Sequence, residues 1–236
     1  MKPSGATDSQ RAVRGQKWDL YDLEMLDRIQ QRVLWLSTYI VHYANFVRPN
    51  PDGIKVGGHE SSSASVVTLL TALYFFFLRP GDRVSIKPHA SPVFHAIQFL
   101  RGALPQEKRQ AFRQYGSLQA YPSRTKDPDG VDFSTGSVSL GAVAPLFGAL
   151  VRDYLVDHAE DEETAQAKTL ESGWHIALVG DAELDEGNIW EALGEAYAQR
   201  MSRVLWIVDL NRQSLDRIVP DGRAQRNVLC QWLAYY

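Results

Sequence analysis

The 236-residue sequence holds a single cysteine, Cys230. That excludes an internal disulfide framework and fits a reducing compartment. It also lacks any apolar run of the ~18 residues that a membrane-spanning helix needs. The stretch LLTALYFFFL is 10 residues long and reads as a core helix. A large excess of either charge is lacking: the formal net charge is -3, which makes no electrostatic case for nucleic acid. The N-terminus, MKPSGATDSQRAVRGQ, lacks the apolar stretch of a signal peptide. Ordinary apolar and charged fractions, 44% and 22%, allow a sizeable core and argue against global disorder. A cytoplasmic protein bound to neither membrane nor nucleic acid is expected.

What is present is concentrated between Trp174 and Asp216. Ile176–Val179 and Val204–Val208 are short runs rich in Val, Ile and Leu, the pattern of buried parallel strands. Between them Ile189, Ala192, Leu193, Ala196 and Tyr197 recur at helical spacing. Together they make a βαβ unit, which needs ~30 residues or more. The expected fold class is α/β: an open, mostly parallel sheet with helices on both faces. Gly180-Asp181 follows the first strand and Asn211 the second. Ligands in such sheets bind outside the carboxyl ends of strands, so Asp181 and Asn211 are expected to face one crevice. A carboxylate and an amide offer hard oxygens, and Mg²⁺ takes one or two such ligands beside phosphates and waters. The spacing equally allows Asp181 to cap a helix and Asn211 to make a turn.

Residues 1–18 are polar and expected to be mobile; 19–236 are expected to form one α/β domain. Helical spacing runs from Asp19 to Phe46 through Leu23, Leu26, Ile29, Val33, Leu36, Ile40 and Tyr43, until RPNPDG breaks it. Gly57-Gly58 predicts a flexible turn, with Ser61–Ser63 capping a helix to about Leu78. His59 stands at that helix mouth, where an isolated His is more often solvated than functional. Val84–Ile86 reads as a strand, Pro88-His89 as a loop, and Ser91 onward as a helix holding His95 as packing or surface. Residues 105–116 read as a charged helix, 118–133 as a surface loop and 158–173 as solvated. Ser134–Ser139 puts small residues and backbone N–H groups before a helix, which favours anions. Residues 216–223 read as a loop and 224–236 as an apolar helix. His42 and His158 have no motif around them.

GDAELDEGNIWEA followed by LWIVDLNRQSLD resembles the thiamine diphosphate signature of the transketolase superfamily. GGHESSSAS, KPHASPVFHAIQFLRG and the pairs Thr135-Gly136 and Leu140-Gly141 are similar to the homodimeric pyruvate dehydrogenase decarboxylating component. The resemblance covers roughly residues 20–236, the diphosphate-binding domain alone. It implies that Mg²⁺ is held by Asp181, the Asn211 side chain and the backbone carbonyl of Gln213. It implies that thiamine diphosphate lies along Gly180, Asp181, Ala182, Glu183 and Asn211 and along Gly136, Ser137, Val138 and Leu140. His59 is implied near the thiazolium ring and His89 on the diphosphate or substrate. Two positions depart from the pattern: Ala182 and Pro88 each stand where glycine is usual, and the Ala182 methyl is expected to weaken cofactor binding.

Glu186 and Glu191 flank the Gly187-Asn188 entry to the helix of the βαβ unit. They read either as favourable charges near a helix N-terminus or, by resemblance to transketolases, as a relay between two active sites of a dimer. The resemblance also implies an activating Glu in a second, pyrimidine-binding domain. The chain alone is therefore expected to be catalytically incomplete, a fragment or a split subunit whose partner supplies that Glu. The implied activity is thiamine- and Mg²⁺-dependent decarboxylation of a 2-oxoacid, most simply pyruvate, with acyl transfer to lipoamide on an acyltransferase partner. The alternatives are ketol transfer between sugar phosphates, and a non-catalytic scaffold retaining the fold.

Overall fold

The computed structural model describes residues 12–13, 16–158, 173–214 and 217–218. The expectations for residues 1–11, for most of 158–173, for the helix at 224–236 and for Cys230 lie outside the described residues.

Seven short strands are described: β1 (Ala12–Val13), β2 (Gln16–Lys17), β3 (Arg83–Ser85), β4 (His175–Gly180), β5 (Val204–Asp209), β6 (Gln213–Ser214) and β7 (Arg217–Ile218). The helices are α1 (Leu20–His42), α2 (Glu60–Ala64), α3 (Val67–Ala72), α4 (Ser91–Leu100), α5 (Gln106–Gln110), α6 (Leu140–Asp157) and α7 (Gly187–Ala198). β3, β4 and β5 form a parallel sheet with β4 in the centre. Val84 lies opposite Ile176, and Ile176 opposite Leu205. The pairs β1–β2 and β6–β7 are separate antiparallel ladders.

Successive side chains of a strand point to opposite faces, and in β4 both faces are covered. Ile176 and Leu178 join Val84, Ile86, Val33, Ile40 and Ile97 in a core with α1, α3 and α4. Ala177 and Val179 pack with Ala142 of α6 and Ile189 of α7 on the other side. That double burial is why the strand reads as a continuous apolar run. β5 is an edge strand of this sheet, and all six of its residues are only partly buried.

Several element boundaries differ from the sequence reading. α1 starts on a capping box in which Asp19 and Asp22 exchange 3.0 Å bonds with each other's backbone N–H, and it ends in a π-helical turn, Tyr43–Val47. Leu23, on its expected apolar stripe, is 45% exposed; burial begins at Val33. Ser61–Ser63 lie inside α2, whose cap position is His59, rather than capping it. The helix breaks after Ser65, where Val66 leaves helical geometry at φ -114, ψ 6, while the Ser65 hydroxyl bonds Asp209 and Ser62 O, the side-chain competition that makes serine a poor helix interior residue. The charged helix expected over 105–116 stops at Gln110. There Arg113 turns to φ 57 and donates its N–H to Leu118 O at 2.8 Å, which buries Phe112 and Leu118 completely.

The following loop is irregular but not wholly superficial. Asp129 within it is 1% exposed and bonds His95 Nδ1 of α4 at 2.6 Å. Tyr197, expected on the apolar face of α7, is 69% exposed.

Candidate active site

The three parallel strands deliver their carboxyl ends to one edge: Lys87–His89 after β3, Asp181 after β4, and Asp209–Asn211 at the end of β5. Asp181 is 1% exposed. Its Oδ2 accepts the Arg212 N–H at 3.0 Å and its Oδ1 the Ala182 N–H at 3.1 Å. The turn bearing Asn211 therefore lies directly against this carboxylate. Burial pushes the Asp181 carboxyl up, opposed by these hydrogen bonds. Glu183 ties β4 to α6, accepting from Gly180 N at 2.8 Å and Ser139 N at 3.3 Å. Its carboxyl is likewise raised by burial. Ser139, left-handed at φ 70, donates its hydroxyl to Asn188 Oδ1 at 2.8 Å.

Lys87 and Asp209 form an ion pair at 2.5 Å with side chains 3% and 11% exposed. Asp209 Oδ2 also accepts from Ser65 Oγ at 2.7 Å and Asn211 Nδ2 at 3.0 Å. Burial lowers the Lys87 ammonium pKa, while Asp209, Glu183 and Asp181 oppose the shift.

The histidines come together from separate elements. Gly57 is clamped by Asn45, which accepts its N–H at 2.8 Å and donates to its carbonyl at 3.0 Å. Gly58, at φ +156, packs so tightly that a Cβ would come 2.5 Å from Val41 Cγ1. This turn delivers His59 onto His89, ring centroids 3.9 Å apart and planes 20° from parallel, with the Tyr121 ring tilted against His89 at 5.7 Å. Burial first, then His59, Lys87 and Arg113, hold the His89 pKa down to about 4. His59 is lowered by burial and by Arg113. Both imidazoles are neutral at pH 7.

In the loop before α6, Gly136, Ser137, Val138 and Leu140 are exposed while Thr135 and Ser139 are buried. Gly136 faces open space, but a Cβ on Gly141 would come 3.1 Å from both Ser85 Oγ and Thr135 Cγ2. A cavity of about 260 Å³ runs along Tyr121, Pro122, Ser134 and Gly136. A larger one, about 750 Å³, is bounded by Arg113, Tyr121 and Lys126.

Glu186 and Glu191 are exposed at the start of α7 and take no part in the hydrogen-bonded cluster around Asp181. Gln213 contributes its backbone to β6. Sequence reasoning passed over Lys87, Asp209, Arg113 and Tyr121. Lys87 and Asp209 sit two residues from His89 and Asn211, so their nearness to the expected site was the available signal.

The residues fit Mg²⁺ and a diphosphate. Among the described residues no group of three His, Cys, Asp or Glu could hold a metal. A cation here would take one carboxylate, an amide and backbone oxygen, leaving positions for phosphate and water, the donor set Mg²⁺ favours. The buried Thr135 hydroxyl lacks a hydrogen-bond partner, and Gly136 beside it leaves its surface open. The Ala182 N–H is turned to Asp181 Oδ1 at 3.1 Å.

Fold and site together define a member of the thiamine diphosphate-dependent transketolase superfamily, at its N-terminal domain. Residues 53–225 match the family described as 1-deoxy-D-xylulose-5-phosphate synthase, and the chain belongs to that family. It is similar to the pyruvate dehydrogenase E1 component of Mycolicibacterium smegmatis, 31% identical over 211 residues, covering 84% of this chain and 21% of that one. The Escherichia coli protein of the same name is 28% identical over 204 residues, covering 83% and 22%. The chain thus spans about a fifth of the length of these relatives. In fold it is similar to the transketolase of Leishmania mexicana (TM-score 0.67, 19% identity, 89% of this chain and 34% of that). A Pichia stipitis transketolase gives TM-score 0.71 at 19% identity, over 89% and 30%. No described helix is long and apolar enough to cross a membrane.

Proposed function

We propose that this chain is the diphosphate- and Mg²⁺-binding part of a thiamine-dependent enzyme that decarboxylates a 2-oxoacid, most simply pyruvate, and passes the acyl group to lipoamide. The observation that carries the reading is the buried Asp181 carboxylate with the Asn211-Arg212 turn bonded against it at 3.0 Å, beside two neutral stacked histidines. The relatives named pyruvate dehydrogenase E1 component support the substrate. Asp181, Asn211 and the Gln213 carbonyl would hold the cation; Gly180, Ala182, Glu183 and the Gly136–Leu140 loop would line the diphosphate. Bound thiamine diphosphate supplies the electron sink that makes loss of a carboxyl group feasible. His59 and His89, uncharged, can each accept a proton at a ring nitrogen near that centre. A homodimer, or a partner chain, would supply the activating Glu from a second domain; an acyltransferase would receive the product. A cytoplasmic location fits this role.

A second reading is favoured by the family's description as a deoxyxylulose-phosphate synthase: transfer to a sugar phosphate, as in transketolase-type ketol transfer, with Glu186 and Glu191 facing a dimer partner. Pyruvate-dependent ferricyanide reduction by the assembled enzyme supports the first reading, and cleavage of xylulose phosphate the second. Calorimetric titration of the chain with thiamine diphosphate and Mg²⁺ tests both against a scaffold that binds neither. Binding that Asp181→Ala abolishes is expected, and it would exclude the scaffold.

A further inference from the structure

The Lys87–Asp209 pair joins residues 122 positions apart, from the two outer strands of the sheet. Between them lies β4: a Cβ placed on Gly180 would come 4.0 Å from Lys87 Cδ, so the Lys87 stem crosses the carboxyl end of the central strand. The pair is a strap over all three strand ends. Asp209 Oδ2 also receives Ser65 Oγ and, at 3.0 Å, the amide nitrogen of Asn211, two residues along the chain.

We infer that Asp209, held by Lys87, is a positioning residue that fixes the Asn211 amide so that its oxygen, not its nitrogen, is offered to the cation. This rests on the Mg²⁺ site proposed above. An unrestrained asparagine presents either edge of its amide at nearly equal cost. Committing Nδ2 to a carboxylate assigns Oδ1 to the opposite edge, and a hard divalent cation takes only the oxygen. Lys87 has a complementary part: its ammonium neutralises Asp209, which would otherwise be an anion competing for the metal two residues from the intended ligand. Partners that orient metal ligands in this way typically govern affinity by ~10–100-fold.

The test titrates the full chain with Mn²⁺, followed by electron paramagnetic resonance, in the presence of thiamine diphosphate. Two double variants are compared. Lys87→Met with Asp209→Leu replaces the ion pair by apolar groups of similar bulk, an exchange that often preserves stability, but removes the acceptor for Asn211. Lys87→Gln with Asp209→Asn removes both charges and keeps an acceptor. Expected are ~10–100-fold weaker Mn²⁺ binding in the apolar pair, at an unaltered melting temperature, and binding within a few-fold of the original in the polar pair. A purely structural strap would leave the Mn²⁺ affinity of folded protein alone. Equal affinity in the folded apolar variant and the original overturns the inference while leaving the metal site intact. If the apolar pair does not fold, weak binding by the folded polar pair overturns it instead. Failure of the unaltered chain to bind Mn²⁺ more tightly than Asp181→Ala overturns the metal site and the inference together.

Discussion

His59 and His89 stack at 3.9 Å between ring centroids, 20° from parallel, although 30 residues separate them in the chain. Two imidazolium cations would not rest face to face at that distance in a half-buried site, since like charges disfavour each other's charged form. The stack is therefore a statement about protonation as well as about packing.

The pH dependence of stability follows. Burial holds the His89 imidazole, ordinarily near 6.5, down to about 4. Below pH 6.5 the unfolded chain takes up a proton that the folded chain refuses, so stability falls as pH drops from about 6.5 toward 4. The loss is of order 1–3 kcal/mol. Urea unfolding across this window should show the slope, and His89→Gln should reduce it, leaving the share of His175, which burial also holds down to about 4. An unchanged slope in that variant would remove His89 as the cause.

Asp181→Asn keeps the side-chain shape and one hydrogen-bond acceptor while removing a charge that burial disfavours. The unliganded variant should stay within about 1 kcal/mol of the original. Its Mg²⁺-dependent binding of thiamine diphosphate should weaken by at least ~100-fold, since the hardest ligand is gone. Comparing the thermal midpoint with the calorimetric affinity separates the two effects.

Gly58→Ala forces a Cβ to within 2.5 Å of Val41 Cγ1. Overpacking of this kind costs about 1–3 kcal/mol. Adding Val41→Ala should recover part of that loss, and the non-additivity of the double-mutant cycle would confirm the contact. Full additivity would show that the clash is relieved elsewhere.

His95 and Asp129 are both wholly buried and joined at 2.6 Å. Asp129→Ala leaves His95 without its partner and should cost about 3–5 kcal/mol. Replacing both, His95→Leu with Asp129→Leu, should be much milder than the single change. Chemical denaturation of all three variants decides it, and a double variant worse than the single would make the pair a net stabiliser.

Much of the fold was legible because its signals are local. The apolar runs around Ile176 and Val204, the helical spacing of Ile189 and Ala192, and the polar residues at the strand ends already describe a βαβ unit with Asp181 and Asn211 at one edge. Gly57-Gly58 announced a turn before His59, though one expected to be flexible, which Asn45 instead clamps. Less could be read where serine side chains compete with the backbone, as at Ser65, or where Arg113 adopts a left-handed conformation to bury Phe112. Those choices depend on partners far along the chain.

The sequence by itself determined the α/β class, the strand order of events along the chain and the family to which its motifs belong, because periodicity and strand-end chemistry are written in neighbouring residues. Only the tertiary structure decided that His59 stacks on His89, that Asp129 pairs with His95, and that Lys87 crosses β4 to reach Asp209. Each is a contact between side chains 30 or more positions apart, created when sheet register and helix packing bring separate elements together. Desolvation then makes those contacts count, since a charge or an imidazole lowered into the interior must find a partner or stay neutral.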